Sequence, residues 1–206
     1  LRREADQSGP VDSVSLKLPY RPPYDWDHLL AFLGARALSP VEWVADGQYH
    51  RVLRVAGAFA RITVRHEPNH HCLRLGVEGL PTRHVPALVR RVRRAFDLDA
   101  DPRVIHDTLG RDSRLRKLLA ARPGLRLPVG LDPFETGVRA ILGQQVSVAA
   151  TRTLLARLLE GEGVEKAMPE PAALAAKPAD TFGIPIKRAG AVRAFAAAVA
   201  SGALSL

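Results

Sequence analysis

The strongest constraint on this chain is a change of hydrophobic period near residue 100. Before it, Ser13–Pro19 alternates apolar and polar residues strictly, and further strands are predicted over Val41–Asp46, Tyr49–Val55, Ala58–Arg65 and Cys72–Val77. Asp46-Gly47, Ala56-Gly57 and Pro68-Asn69 supply the turns. Two helices interrupt the strands. One is capped by Asp25 and carries Trp26, Leu29, Leu30, Phe32 and Leu33; the other spans Arg83–Phe96. From Pro102 onward no alternation remains, and the pattern predicts helices over Pro102–Leu109, Ser113–Ala121, Pro133–Leu142, Val148–Glu160, Pro171–Ala176 and Lys187–Ser201. The expected fold class is therefore α+β: a small N-terminal antiparallel sheet with two helices on one face, followed by an all-α domain. The expected divisions are a polar tail or linker over residues 1–12, an α+β domain over 13–99 and a helical domain over 100–206.

Within the helical part, Asp132–Thr151 reads as two helices joined by a polar hinge. Asp132 suits the amino-terminal cap, Pro133 the first helical position, and Glu135 can return a capping bond. Val138, Ile141 and Leu142 form one apolar face, Gly143 is placed to end the helix in a left-handed conformation, and Ser147 can cap the next helix. Gln144, Gln145 and Val146 lie between the caps. By pattern alone the expectation is an ordinary helix–helix corner with solvated amides, and the alternative is a loop that meets an outside partner.

Charge favours a polyanionic partner. The formal net charge is +9, and Arg83–Arg126 holds twelve Lys or Arg against five Asp, an excess of seven. For Arg90, Arg91, Arg93 and Arg94 a solvated helix face is the expectation; no aromatics interleave, so contacts from this stretch would be to phosphates. Cys72 is the single cysteine, and no apolar run is long enough to span a bilayer, so a cytoplasmic protein is expected.

The run Phe134-Glu-Thr-Gly-Val-Arg-Ala-Ile-Leu-Gly-Gln-Gln-Val-Ser-Val-Ala-Ala-Thr151 resembles the central region of the 3-methyladenine DNA glycosylase II family, the AlkA-like helix-hairpin-helix glycosylases. Segments beginning at Tyr20 (YRPPYDWDHLLAFLGARAL), Leu119 (LAARPGLRLPVGLDPFE) and Gly183 (GIPIKRAGAVRAFAAAV) extend the resemblance across nearly all of residues 18–206. It implies a partner, double-stranded DNA carrying alkylated bases, and a monomeric hydrolase that uses no cofactor or metal. It implies that Gln144, Gln145, Val146 and Ser147 enter the minor groove, with Gln145 filling the gap left by a flipped-out nucleotide. It also implies that Phe32 lines the pocket for the flipped base, although helical spacing alone puts Phe32 in a core stripe with Leu29 and Leu33. The family's Gly-rich hairpin and catalytic Asp are expected beyond Leu206, which makes the helical domain an incomplete helix-hairpin-helix glycosylase domain with no catalytic residue of its own.

Other constellations carry less. His66, His70, His71 and Cys72 cluster near one turn without a standard zinc spacing. Asp97, Asp99 and Asp101 begin like a calcium loop, but Pro102 stands where Gly is required and Thr108 where an acid is required. Two function classes remain: a base-excision glycosylase, or a non-catalytic DNA-binding module, possible as one segment of a regulator–glycosylase fusion for which Arg2–Gln7 would suit a linker.

Overall fold

The computed structural model describes residues 3–4, 13–159 and 167–206. Its strands are β1 (Arg3–Glu4), β2 (Val14–Pro19), β3 (Glu42–Ala45), β4 (Gln48–Val55), β5 (Ala58–Glu67) and β6 (Cys72–Glu78). They form one sheet in the order β1-β2-β6-β5-β4-β3, antiparallel throughout. The β3–β4 and β4–β5 hairpins turn on Asp46-Gly47 and Ala56-Gly57, all four residues with positive φ. That is the primed geometry whose twist matches the flanking strands. β1 falls within the stretch expected as a polar tail or linker: Arg3 and Glu4 pair with Leu16 and Ser15 and cover the edge of β2. The rest of the 1–12 stretch lies outside the described residues.

Period-two burial fixes the register. Leu16, Leu75, Val64 and Tyr49 lie side by side across four strands, and all are buried. Helices α1 (Trp26–Arg36) and α2 (Val85–Ala95) share this core through Trp26, Leu29, Leu30, Leu88, Val89 and Val92. Asp25 caps α1 by accepting from the His28 amide at 3.1 Å. α2 begins two residues later than expected, because Thr82–His84 closes as a 3₁₀ turn ahead of it.

The helical part comprises α3 (Pro102–Leu109), α4 (Ser113–Ala121), α5 (Pro133–Leu142), α6 (Val148–Leu159), α7 (Pro171–Ala176) and α8 (Ile186–Ala200). Residue 160, expected to end α6, lies outside the described residues. A second core gathers Val138 and Leu142 of α5, Leu155 and Leu158 of α6, Leu174 of α7, and Val192 and Ala196 of α8. Leu38 and Val41, which precede β3, are buried in this second core rather than under the sheet. Arg126 joins the parts from the other side. It is buried and donates to the carbonyls of Asp97, Ala100, Arg21 and Pro23, with its guanidinium 4.8 Å from the Tyr24 ring centroid. α3 and α4 bury no residue. No described helix is long and apolar enough to cross a membrane.

Candidate nucleic-acid interface

α5 starts as its sequence dictates: Asp132 accepts from the Glu135 amide at 2.8 Å. Its end differs from expectation. Gly143 has φ −82° and is right-handed; the left-handed residue is Gln145, with φ 55°. Gly143 fits for another reason, since a Cβ there would sit 3.0 Å from the Arg139 carbonyl oxygen and 3.3 Å from Thr151 Oγ1, tighter than most side-chain contacts. The close approach of α5 to α6 thus leaves little room for a side chain at 143, and the reversal of the chain falls on the second amide.

The hinge side chains divide. Gln144 and Gln145 are exposed. The Gln144 carbonyl accepts from Arg188 Nη2 at 2.9 Å, which ties the back of the hinge to α8. Ser147 caps α6 by accepting from the Ala150 amide at 3.2 Å. Val146 does not join the core with Ile141 and Leu142; it is half-buried and lines a cavity beside the hinge.

Phe32 stands outside the core cluster, 37% exposed, with the Arg36 guanidinium 3.6 Å from its ring centroid. It lines a cleft of about 180 Å³ between sheet and helices, whose lining also includes Val129, Leu131 and Thr136. The helical stripe around Leu29 and Leu33 therefore does not carry Phe32 inward.

The floor of this cleft holds a group that sequence reasoning missed. Arg51 of β4 and Glu42 of β3 are cross-strand partners, joined at 2.8 Å. Arg51 also pairs with Glu135 of α5, Glu135 accepts from Arg139 Nε at 2.7 Å, and Arg139 Nη2 returns to Glu42. Two guanidiniums and two carboxylates alternate in a closed ring, with Tyr49 donating its hydroxyl to Glu42 Oε2 at 2.7 Å. Burial alone pushes the Glu135 carboxyl up, but the adjacent Arg51 and Arg139 charges and their hydrogen bonds outweigh it, so its pKa lies below the ordinary carboxylate value. Burial likewise works against the Arg51 charge, and Glu135, Tyr49 and Glu42 more than offset it, raising its pKa. Glu135 consequently makes no return bond to the cap; its carboxylate is committed to the two arginines. A signal existed in the sequence. The alternation that buries Tyr49, Leu53 and Val55 places Arg51 on the same inward face, where a charge demands a partner.

The acids at the cleft are all engaged. Glu42 and Glu135 belong to the ring, and Asp132 caps α5 with its other oxygen 3.8 Å from Arg91 Nη1. The acidic stretch at residues 97–101 serves structure too: Asp97 accepts from the Leu127 amide, Asp99 pairs with Arg93, and Asp101 caps α3. His66 bonds the Tyr20 hydroxyl at 2.7 Å, and Cys72 is buried with Sγ 3.7 Å from Glu67 Oε2.

A family model described as the AlkA N-terminal domain matches residues 15–132. The chain is 40% identical over 199 residues to DNA-3-methyladenine glycosylase 2 of Escherichia coli strain K12, covering 92% of this chain and 68% of that protein. It is 37% identical over 151 residues to a Mycobacterium tuberculosis protein named a probable bifunctional transcriptional activator/DNA repair enzyme AlkA, covering 73% of this chain and 30% of that one. Among solved structures, a 3-methyladenine DNA-glycosylase from Archaeoglobus fulgidus superposes with TM-score 0.73 at 18% identity, over 88% of this chain and 66% of its own. MBOgg1, in complex with a low-affinity DNA ligand, superposes with TM-score 0.64 at 18% identity, over 100% of this chain and 68% of its own. At these identities the two structures speak to the fold alone.

Proposed function

Because this chain belongs to the AlkA family of DNA glycosylases, we propose that it acts in base-excision repair, opening duplex DNA at alkylated bases so that the glycosidic bond can be hydrolysed. The observation that carries this reading is the juxtaposition at the hinge. An exposed, left-handed Gln145 stands at the turn between α5 and α6, and the Arg36–Arg139 pair that walls the neighbouring cavity also walls the cleft containing Phe32. A base leaving the stack needs a replacement in the hole and a receptacle nearby. Gln145 suits the first role, while Gln144, Val146 and Ser147 flank it in the groove; Phe32 and its cleft suit the second.

Chemistry in this reading is divided. Glu42, Asp132 and Glu135 are committed to arginines and backbone; the acid that stabilises the departing sugar's positive charge is assigned, on the family resemblance, to a segment following the position of Leu206. Phe32, at the cleft wall with the Arg36 guanidinium over its ring, is the aromatic surface assigned to an electron-poor base. The substrate is an alkylated base of the 3-methyladenine class in double-stranded DNA, and the protein acts as a monomer.

Base release from methylated duplex tests this, measured with the chain itself and with the chain continued through the family's hairpin and acid. Release is expected only from the continued chain; comparable release by both would overturn the assignment of the acid. In the continued chain, Gln145→Ala is expected to slow excision from normal duplex, where unstacking costs a few kcal/mol. The loss should be much smaller opposite a mismatch or in single strands, and equal losses on all three substrates would remove Gln145 from base extrusion. A second reading, a DNA-binding segment of a regulator fusion, is favoured by the 30% share that this region occupies in the bifunctional relative. Duplex binding without base release from either version would select it.

A further inference from the structure

The cavity beside the hinge, about 270 Å³ in volume, is lined by Val146, Thr151 and three arginines, Arg36, Arg139 and Arg152. Among the described residues no carboxylate lines it. The three cations are not equivalent. Arg139 is neutralised by Glu42 and Glu135. Arg36 donates Nη1 to the Phe32 carbonyl at 3.1 Å and lies over the Phe32 ring, but among the described residues it has no acidic partner. Arg152 is exposed on the second turn of α6 and, among the described residues, has neither an ion pair nor a hydrogen bond from its guanidinium. Two uncompensated guanidiniums at one concave surface form a site for an anion.

Position says which anion. Val146 is the residue after Gln145, and Arg36 and Arg139 wall both this cavity and the Phe32 cleft. A nucleotide that leaves the stack at the hinge and enters the cleft carries its sugar–phosphate backbone across that arginine wall. We infer that the cavity is a phosphodiester subsite in which Arg152 and Arg36 hold one backbone phosphate of the strand bearing the extruded nucleotide. The inference rests on the proposed function and adds to it a strand-specific contact. Direct base readout is not part of it, since both side chains lie beside the groove-entering hinge rather than at its tip.

The test measures affinity of the 206-residue chain for a duplex with a single abasic-site analogue, by fluorescence anisotropy across a range of salt. Each phosphate near the analogue is replaced in turn by an uncharged methylphosphonate. In the wild type, one linkage on the analogue-bearing strand is expected to weaken binding about tenfold when neutralised, the worth of one charge-assisted contact. Arg152→Gln is expected to weaken binding to the unmodified backbone by a similar factor, to lower the log–log salt slope by about one, and to erase sensitivity at that linkage alone. Arg36→Gln should erase the same linkage. Arg157→Gln, an exposed arginine on α6 that does not line the cavity, should leave the pattern of sensitive linkages as it was. Retention of every sensitive linkage by Arg152→Gln and Arg36→Gln would overturn the subsite alone. A wild type that binds no duplex would overturn the proposed function and the subsite together.

Discussion

Gln145 holds a backbone conformation that costs a non-glycine residue roughly 1–2 kcal/mol, while Gly143, two positions earlier, has no such requirement. A glycine at 145 would relax the turn, so a long side chain there is maintained against a local preference. The two contributions to its substitution oppose each other: relief of left-handed strain in the folded chain, and greater freedom in the unfolded one. Gln145→Gly is accordingly expected to change unfolding stability by less than about 1 kcal/mol, read by urea titration. The same variant should lose the fluorescence rise of 2-aminopurine placed at the lesion in duplex DNA. A stability loss above about 2 kcal/mol would mark the side chain as a structural brace instead. The sequence showed that some amide at this corner was poorly suited to burial. It did not show which residue carries the reversal, because Gly143 is the better left-handed residue in isolation, yet it stays right-handed and the positive φ falls on Gln145.

At the scale of elements, α2 and the α3–α4 pair carry similar charge and differ in what they bury. α2 sinks Val85, Leu88, Val89 and Val92 under the sheet, whereas α3 and α4 leave Val104 61% and Leu118 67% exposed. Leu88→Ala is expected to cost about 2–5 kcal/mol, the range for large-to-small changes in a packed core, and Leu118→Gln less than about 0.5 kcal/mol. Denaturant midpoints of the two variants check this, and a cost at Leu118 approaching that at Leu88 would mean that α4 packs against something in solution. The basic stretch divides in the same way. Arg91, Arg93, Arg122 and Arg126 are bound to carboxylates or carbonyls of the sheet part, so the count of twelve cations overstates the charge offered to a phosphate backbone. Helix limits were legible because caps and periods lie within a few residues of one another: Asp25, Asp101, Asp112 and Asp132 each accept from a nearby backbone amide. β1 was not legible, because pairing with Leu16 and Ser15 is decided by the free edge of β2 and not by the two residues themselves.

For the whole molecule, the ring of Glu42, Arg51, Glu135 and Arg139 joins sheet and helices at the floor of the cleft. Removing one member leaves a buried charge without its partner, a loss of about 3–5 kcal/mol. Glu135→Gln should show it with a distinctive pH dependence. The Glu135 pKa is depressed in the folded protein, so its contribution is whole above the ordinary carboxylate value of 4.5 and is lost as pH falls through the folded value. The wild type should therefore exceed Glu135→Gln in urea stability at neutral pH and approach it as pH drops below about 4.5. A gap that stays constant down to about pH 3 would mean that Glu135 does not titrate as part of the ring.

The amino-acid sequence by itself determined the α+β class, the starts of the helices capped by Asp25, Asp101, Asp112 and Asp132, the hairpin turns and the polar hinge, since each is written in residues that touch through one or two turns of chain. Only the tertiary structure decided that Glu135 turns from its cap to Arg51, that Phe32 faces a cleft rather than the core, and that Arg36 and Arg152 share a cavity. Those arrangements join residues 84 or more positions apart. Their energies come from charges and surfaces that meet only once the sheet and the helices have packed.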